Sequence, residues 1–399
     1  MTSLFVALMF FATGNVLSDY TEMKEKILAL GSLTNAPAVQ DAGKTCGAMK
    51  AVFFDLLPLN GKPVKVFAWV GVPDVSAGKK VPGIVLLHGG GGTAFKEWVE
   101  LWNSHGFAAI AIATEGQTDE PNEEDSRLWK RHEWSGPAKK QTYADIDRPL
   151  EEQWIYHAST ATILANSLLR SLPEVDETNV GLMGISWGGV LTSTVMGIDS
   201  RFAFAIPVYG CGHLFDSENN FSAAMRDNEM YKNVWDPMVR MNRATMPALW
   251  LSWPEDAYFS PISQAKTYRA MTGKYMVSLI PGMGHSHPKG WNLPDSYVFA
   301  KSIVETGRPW GGMISAGANG NRAEVIFHSD IAPENALLVS TTDAGFTGDR
   351  KWIETPAEFK QKNGNWIATA ILPENTTTAW FINLVCNGLT LSSEFQTVD

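Results

Sequence analysis

The chain has 399 residues, 45% of them hydrophobic and 19% charged, which excludes a disordered polypeptide and suits one large α/β unit with a smaller partner. Its net charge is -10 and no basic block stands out, so it has no electrostatic reason to hold DNA or RNA. Cys46, Cys211 and Cys386, with no Cys-x-x-Cys, exclude a disulfide-dense scaffold and a cysteine-rich zinc site.

Leu4 to Ala12 is an apolar run too short to span a bilayer, but it has the size of a signal-peptide core. Small residues near Gly14 or Ser18 follow it, although no Lys or Arg precedes it. Residues 1–18 are therefore expected to be an export signal, and the mature protein secreted or periplasmic. No later segment has the length of a membrane helix. In an exported chain Cys46 and Cys386 would be candidates for one disulfide, while Cys211 reads as a packed free thiol.

From about Ala51 to Arg308 strands and helices alternate. Val64 to Val70 reads as a strand after the Asn60-Gly61 turn. Val81 to Leu87, Phe107 to Ala113, Val180 to Met183, Phe202 to Val208, Ala248 to Leu251 and Tyr275 to Ile280 are apolar runs, as expected of strands covered on both faces. Ala94 to Ser104 is helix-like. In Gln153 to Arg170, Ala158, Ala161, Leu164, Ala165 and Leu168 form one apolar helical face, which Pro173 ends. Repeated strand-helix units imply a mostly parallel sheet with right-handed crossovers. After Pro309-Trp310-Gly311-Gly312 no helix pattern intervenes. Ala323 to His328, Ala336 to Thr341, Lys351 to Thr355, Asn365 to Ile371 and Thr378 to Cys386 read as a small antiparallel β-sandwich. The expected division is residues 19–308 as one α/β domain and 309–399 as the sandwich.

The chemistry concentrates at strand ends. Gly184-Ile185-Ser186-Trp187-Gly188 lies between a strand and the helix-like Val190 to Met196, the setting of a nucleophile elbow, with Ser186 as nucleophile. His88-Gly89-Gly90-Gly91-Gly92 follows another strand. Four glycines expose N–H groups suited to an oxyanion, from Gly90 or Gly91, completed by the N–H of Trp187. A phosphate loop is disfavoured, because no Lys-Ser/Thr follows and GxGxxG spacing does not fit. His88 reads as a brace for the loop. The acid should follow a later strand, where Asp256 is preferred over its neighbour Glu255. The base should end the next strand, where His285 is preferred over His287. The order Ser186, Asp256, His285 is that of an α/β-hydrolase. His285-x-His287 would otherwise be half of a metal site, but no third ligand cluster accompanies it, so no metal or other cofactor is expected.

These segments carry a family resemblance. VPGIVLLHGGGGTAF, EEQWIYHASTATILANSLLRSLPEVD, VGLMGISWGGVLTSTVMGIDSRF, AIPVYGCGHL and MGHSHPKGW resemble bacterial α/β-hydrolases of the acetylxylan esterase, cephalosporin-C deacetylase and dienelactone hydrolase-like group. The resemblance spans Ala51 to Arg308 and, more loosely, the β-rich tail. It implies an α/β-hydrolase fold and a serine esterase without metal, acting on short acyl esters of carbohydrates or similar small molecules. Dienelactone hydrolases proper carry Cys at the elbow, so Ser186 does not imply that activity. The subgroup's last segment often reads His-Gly-His, and Ser286 replaces the glycine here. Two other readings compete: a prolyl-oligopeptidase-like peptidase and a non-catalytic binding protein on the same fold. No propeller-like region precedes the elbow, and all three catalytic side chains exist.

Tryptophan is abundant, with 15 in the chain. Trp98, Trp102 and Trp154 are expected in the core. Trp129, Trp134, Trp235, Trp253 and Trp291 are expected near the carboxyl edge of the sheet, where aromatic faces suit sugar rings and ordinary packing is the competing explanation. The segments from Glu115 to Asp147 and from Gly212 to Thr245 are expected to overhang the site.

Overall fold

The computed structural model describes residues 20–74, 76, 78–373 and 376–398. The expected signal segment lies outside the described residues. Among the described residues, no helix is long and apolar enough to cross a membrane.

The central sheet follows from the apolar runs. β4 (Val81–Leu87), β5 (Ala108–Ile112), β8 (Val175–Ile185), β9 (Phe204–Val208), β10 (Ala248–Ser252) and β11 (Tyr275–Leu279) are mutually parallel, in the order β5-β4-β8-β9-β10-β11. β5, β9 and β10 are buried at every residue, because helices cover both faces. β1 (Val39–Cys46), β2 (Met49–Asp55) and β3 (Lys65–Gly71) extend the β5 edge in antiparallel fashion, while β6 (Gln117–Pro121) and β7 (Trp129–Arg131) pair separately as an antiparallel ribbon.

Helices α1 (Lys96–Ser104), α2 (Trp154–Ser171), α3 (Trp187–Val195), α4 (Pro261–Arg269) and α5 (Pro294–Thr306) follow β4, β5, β8, β10 and β11. The sheet order reverses direction at β4, so right-handed crossovers put α1 and α2 on opposite faces. Trp102 of α1 meets Tyr297 of α5 with ring centroids 4.6 Å apart, which pairs those two helices. α2 packs against α3. The reversal opens a crevice at the carboxyl ends of β4 and β8, the place where open α/β sheets bind ligands.

The β-rich tail is antiparallel, as expected, but one of its two sheets continues the central one. β14 (Asn335–Thr341), β15 (Ile353–Pro356), β18 (Ala379–Cys386) and β19 (Leu389–Ser392) join through β19 to β11. β12 (Gly311–Asn319), β13 (Arg322–Ser329), β16 (Glu358–Lys362) and β17 (Asn365–Ile371) form the second sheet. It buries Ala323, Val325 and Phe327 on one face of β13. Cys46, Cys211 and Cys386 are free thiols. Cys46 and Cys386 sit near opposite ends of the long sheet, on β1 and β18, and do not pair.

Candidate active site

Ser186 stands alone between β8 and α3, with φ 59° and ψ -117°. A positive φ on a residue with a Cβ costs on the order of 1–3 kcal/mol and persists only where its surroundings enforce it. Here the Ser186 N–H donates to Val208 O at 2.9 Å, and the Val190 N–H donates to Ser186 O at 3.0 Å. The flanking glycines are steric necessities. A Cβ on Gly184 would lie 2.1 Å from Gly188 O, and one on Gly188 would lie 2.1 Å from Leu87 O.

Past the ends of β10 and β11, Asp256 and His285 line up with this serine. His285 Nε2 lies 2.9 Å from Ser186 Oγ, and His285 Nδ1 lies 2.8 Å from Asp256 Oδ2. A carboxylate only accepts, so Nδ1 carries the proton and Nε2 faces the hydroxyl as acceptor. Asp256 is fully buried but well satisfied. Its Oδ1 accepts from the Tyr258 and Phe259 N–H groups, both at 2.8 Å, and its Oδ2 accepts from Trp253 Nε1 at 3.0 Å. Tyr209 stacks on the His285 ring at 4.2 Å and donates from its hydroxyl to Gly284 O at 2.7 Å. Glu255 is not a partner of either histidine, and burial pushes its carboxyl up.

The glycine loop after β4 is held from several sides. His88 Nδ1 donates to Gly89 O at 2.7 Å, and His88 Nε2 accepts from the Thr114 N–H at 3.0 Å. The expected brace is therefore a neutral imidazole, and burial pushes it down to about 3. Gln117 Nε2 donates to Gly92 O at 3.0 Å and Trp129 Nε1 donates to Gly91 O at 2.9 Å. The Gly89 N–H donates to His287 Nε2 at 2.9 Å. Burial pushes His287 down to about 4. His287 thus faces the loop and not Ser186. Gly90 and Trp187 line a cavity of about 310 Å³ around Ser186, whereas Gly91 does not.

Phe221, Tyr258 and Ser286 complete much of that cavity. Phe221 comes from the segment expected to overhang the site. Its ring lies edge-on to Trp187 at 5.2 Å, and Lys139, from the other such segment, sits over the Trp187 ring at 4.7 Å. Of the five edge tryptophans expected from sequence, none lines the cavity. Trp253 and Trp129 act one step back through the hydrogen bonds above, and Trp291 packs on Phe95 at 5.2 Å. Trp235 is fully buried, and Trp134 packs on Phe53. Tyr209, Phe221 and Tyr258 were not singled out from sequence. For Phe221 the signal is the overhanging segment from Gly212 to Thr245, and for Tyr209 it is AIPVYGCGHL at the end of β9, where nothing local indicates a ring stacked on a distant histidine. Among the described residues, no group of three or more His, Cys, Asp or Glu side chains is arranged to hold a metal ion.

A family model described as acetyl xylan esterase (AXE1) matches residues 25–245, more than half of the chain. The chain belongs to this acetyl xylan esterase family. It is accordingly a carboxylic ester hydrolase of the carbohydrate-esterase kind. The match covers the glycine loop and Ser186 and ends before Asp256 and His285. The acetyl xylan esterase from Paenibacillus sp. R4 aligns with a TM-score of 0.54 at 18% identity, over 67% of this chain and 89% of that one. Acetyl xylan esterase 1 from Thermoanaerobacterium sp. JW/SL YS485 aligns with a TM-score of 0.53 at 16% identity, over 67% and 88%. At these identities the two structures establish the α/β-hydrolase fold alone. A comparison with curated protein sequences finds no match.

Proposed function

We propose that this acetyl xylan esterase family member removes short acyl groups, acetyl above all, from carbohydrate esters or similar small esters by serine-dependent two-step acyl transfer. The observation that carries the reading is the chain of contacts from Ser186 Oγ through His285 to Asp256, at 2.9 and 2.8 Å. His285 Nε2 takes the Ser186 proton as Oγ attacks the ester carbonyl carbon. Asp256 holds the ring in the tautomer that leaves Nε2 free and balances the imidazolium that forms. The carbonyl oxygen becomes an oxyanion, and the N–H groups of Gly90 and Trp187 receive it. His285 then protonates the departing alcohol, which leaves an acetyl group on Ser186. Water enters, His285 removes its proton, and attack on the acyl-enzyme releases acetate and restores the serine.

Short acyl chains suit the cavity walls. The Trp187 ring is fixed between Phe221, Tyr143 and Lys139, and it limits the depth available beside Ser186. Tyr258 is 49% exposed at the mouth, beside His285, where the alcohol part of the ester would leave.

Ser186→Ala should keep the fold and melting temperature while abolishing hydrolysis of p-nitrophenyl acetate and of acetylated xylan. A fluorophosphonate should label the native chain and not the variant. Hydrolysis by Ser186→Ala at the native rate would overturn the assignment. Hydrolysis of peptide amides in preference to acetyl esters would move the chain to the peptidase reading.

A further inference from the structure

We infer that His287 is a positioning residue that latches the oxyanion loop to the turn carrying His285. The inference rests on the reading above, in which Gly90 and Trp187 receive the oxyanion.

The Gly89 peptide is held at both ends. Its N–H donates to His287 Nε2 at 2.9 Å, and its carbonyl accepts from His88 Nδ1 at 2.7 Å and from the Gly92 N–H at 3.1 Å. The imidazole of His287 also fills the space that side chains on this loop would take. A Cβ on Gly89 would stand 3.2 Å from His287 Nε2, and one on Gly92 would stand 2.8 Å from it. The elbow lies nearer still to a Cβ on Gly89, with Ile185 O at 2.8 Å and Ser186 Cβ at 2.9 Å, and His88 Cβ stands 2.8 Å from one on Gly92, so the elbow and the His88 and His287 side chains together exclude side chains at these two positions. The ring is fixed on its other sides by Phe95 at 4.9 Å and by Trp291 at 6.2 Å.

A nitrogen that accepts the Gly89 N–H has no proton, so the His287 ring is neutral and its hydrogen is on Nδ1. Taking up a proton at Nε2 would break the latch. His287 therefore cannot serve as a second base while it holds the loop. The two histidines of His-Ser-His divide the work, with His285 reaching Ser186 and His287 reaching Gly89. Ser286 sits between them in extended conformation, φ -161°, and its hydroxyl accepts from the Lys289 N–H at 3.3 Å. One short turn therefore sets the distance between the base and the oxyanion donors. Without the latch, the buried Gly89 N–H would lack an acceptor, and the neighbouring Gly90 N–H would lose its fixed direction.

The test compares His287→Leu with His287→Gln on p-nitrophenyl acetate, with Ser186→Ala as control and active serines counted by fluorophosphonate. His287→Leu should lower kcat about tenfold to a hundredfold with KM little changed, because an oxyanion contact acts mainly in the transition state. His287→Gln can place Oε1 near the lost Nε2 and should recover most of kcat. A purely structural role would lower the melting temperature of both variants and leave kcat per labelled serine intact. Native kcat in His287→Leu, or equal loss in both variants, would overturn the inference. If neither variant folds, nitrogen-15 resonances of the native imidazole decide: a neutral ring protonated on Nδ1 at pH 7 supports the latch, and a ring protonated on Nε2 overturns it. If Ser186→Ala keeps native activity, the reading of the site falls and takes this inference with it. If Ser186→Ala is inactive and His287→Leu matches the native enzyme, only the inference falls.

Discussion

Replacing Asp256 by Asn changes few atoms, yet the local hydrogen bonds decide which way the new amide turns. The Tyr258 and Phe259 N–H groups both point at Oδ1 from 2.8 Å, so the Asn oxygen must take that place. The NH2 group then occupies the position of Oδ2, where it faces His285 Nδ1 and Trp253 Nε1. His285 can meet that NH2 only with the lone pair of Nδ1, which moves its proton to Nε2 and points a donor at Ser186 Oγ. The base is lost although every heavy atom stays close to its place. The same substitution elsewhere, in a serine protease, lowers kcat by about 10⁴-fold, or about 5 kcal/mol of transition-state stabilisation. Trp253 Nε1 also loses its acceptor, at a stability cost of about 1–3 kcal/mol. The assay is kcat for p-nitrophenyl acetate beside a thermal melt. The expected pattern is a rate loss near four decades with a modest fall in melting temperature. A kcat within about tenfold of native would refute the orientation argument, since the wrong tautomer leaves no base in reach.

Two further outcomes are expected beyond the Ser186 and His287 variants. Phe221→Ala should enlarge the wall beside Trp187 and raise the ratio of butyrate to acetate ester hydrolysis by roughly tenfold, the value of one or two methylenes in an apolar pocket; an unchanged ratio of kcat/KM values would place the acyl group elsewhere. Asp295, 1% exposed, accepts from the Thr390 N–H at 2.8 Å, and burial pushes its carboxyl from 3.8 up to about 6. The folded chain then holds the proton more tightly than the unfolded chain, so this group's contribution is full below pH 3.8 and is lost as pH rises through about 6. The difference is worth roughly 3 kcal/mol, and Asp295→Asn should remove that part of the pH dependence of urea unfolding between those limits; an unchanged profile would contradict it.

Legibility from sequence follows burial. β4, β5 and β9 are apolar throughout, and β10 and β11 apart from Ser252 and Ser278, because both faces are covered, and their limits fall within a residue or two of those expected. β1, β12 and β16 expose most of their residues, so their pairing rests on backbone hydrogen bonds that no side-chain pattern records. Asp176 to Asn179, just inside the start of β8, are polar and at least partly exposed, so the apolar run begins at Val180 although the strand begins at Val175. Ser186 was legible because the elbow is local chemistry in consecutive residues. Which histidine turns toward it was legible only as a preference for His285, because the direction of each ring depends on Gly284 at φ 73° and on the extended Ser286. Tyr209 was invisible for a further reason: its ring acts on a residue from another strand end.

The tail strands bear on the chemistry through β11, whose carboxyl end leads into the turn carrying both histidines. β11 and β19 share a single backbone register pair, Val277 with Ser392. Side chains complete the junction. The Leu279 N–H donates to Ser392 Oγ at 2.7 Å, Ser392 Oγ donates to Asn383 Oδ1 at 2.6 Å, and Asn383 Nδ2 donates back to Leu279 O at 2.9 Å. This closed ring satisfies both peptide groups of the last residue of β11 in a buried setting, where an unpaired one would cost about 1–3 kcal/mol. Ser278 Oγ adds a bond to Thr390 O at 2.6 Å. The strand end that launches His285 is therefore fixed on its outer side by residues from β18 and β19. In an isolated catalytic unit those polar groups would face water, and the start of the histidine turn would lose its framework. That is a physical reason for the sheet to run on into the tail instead of stopping at β11.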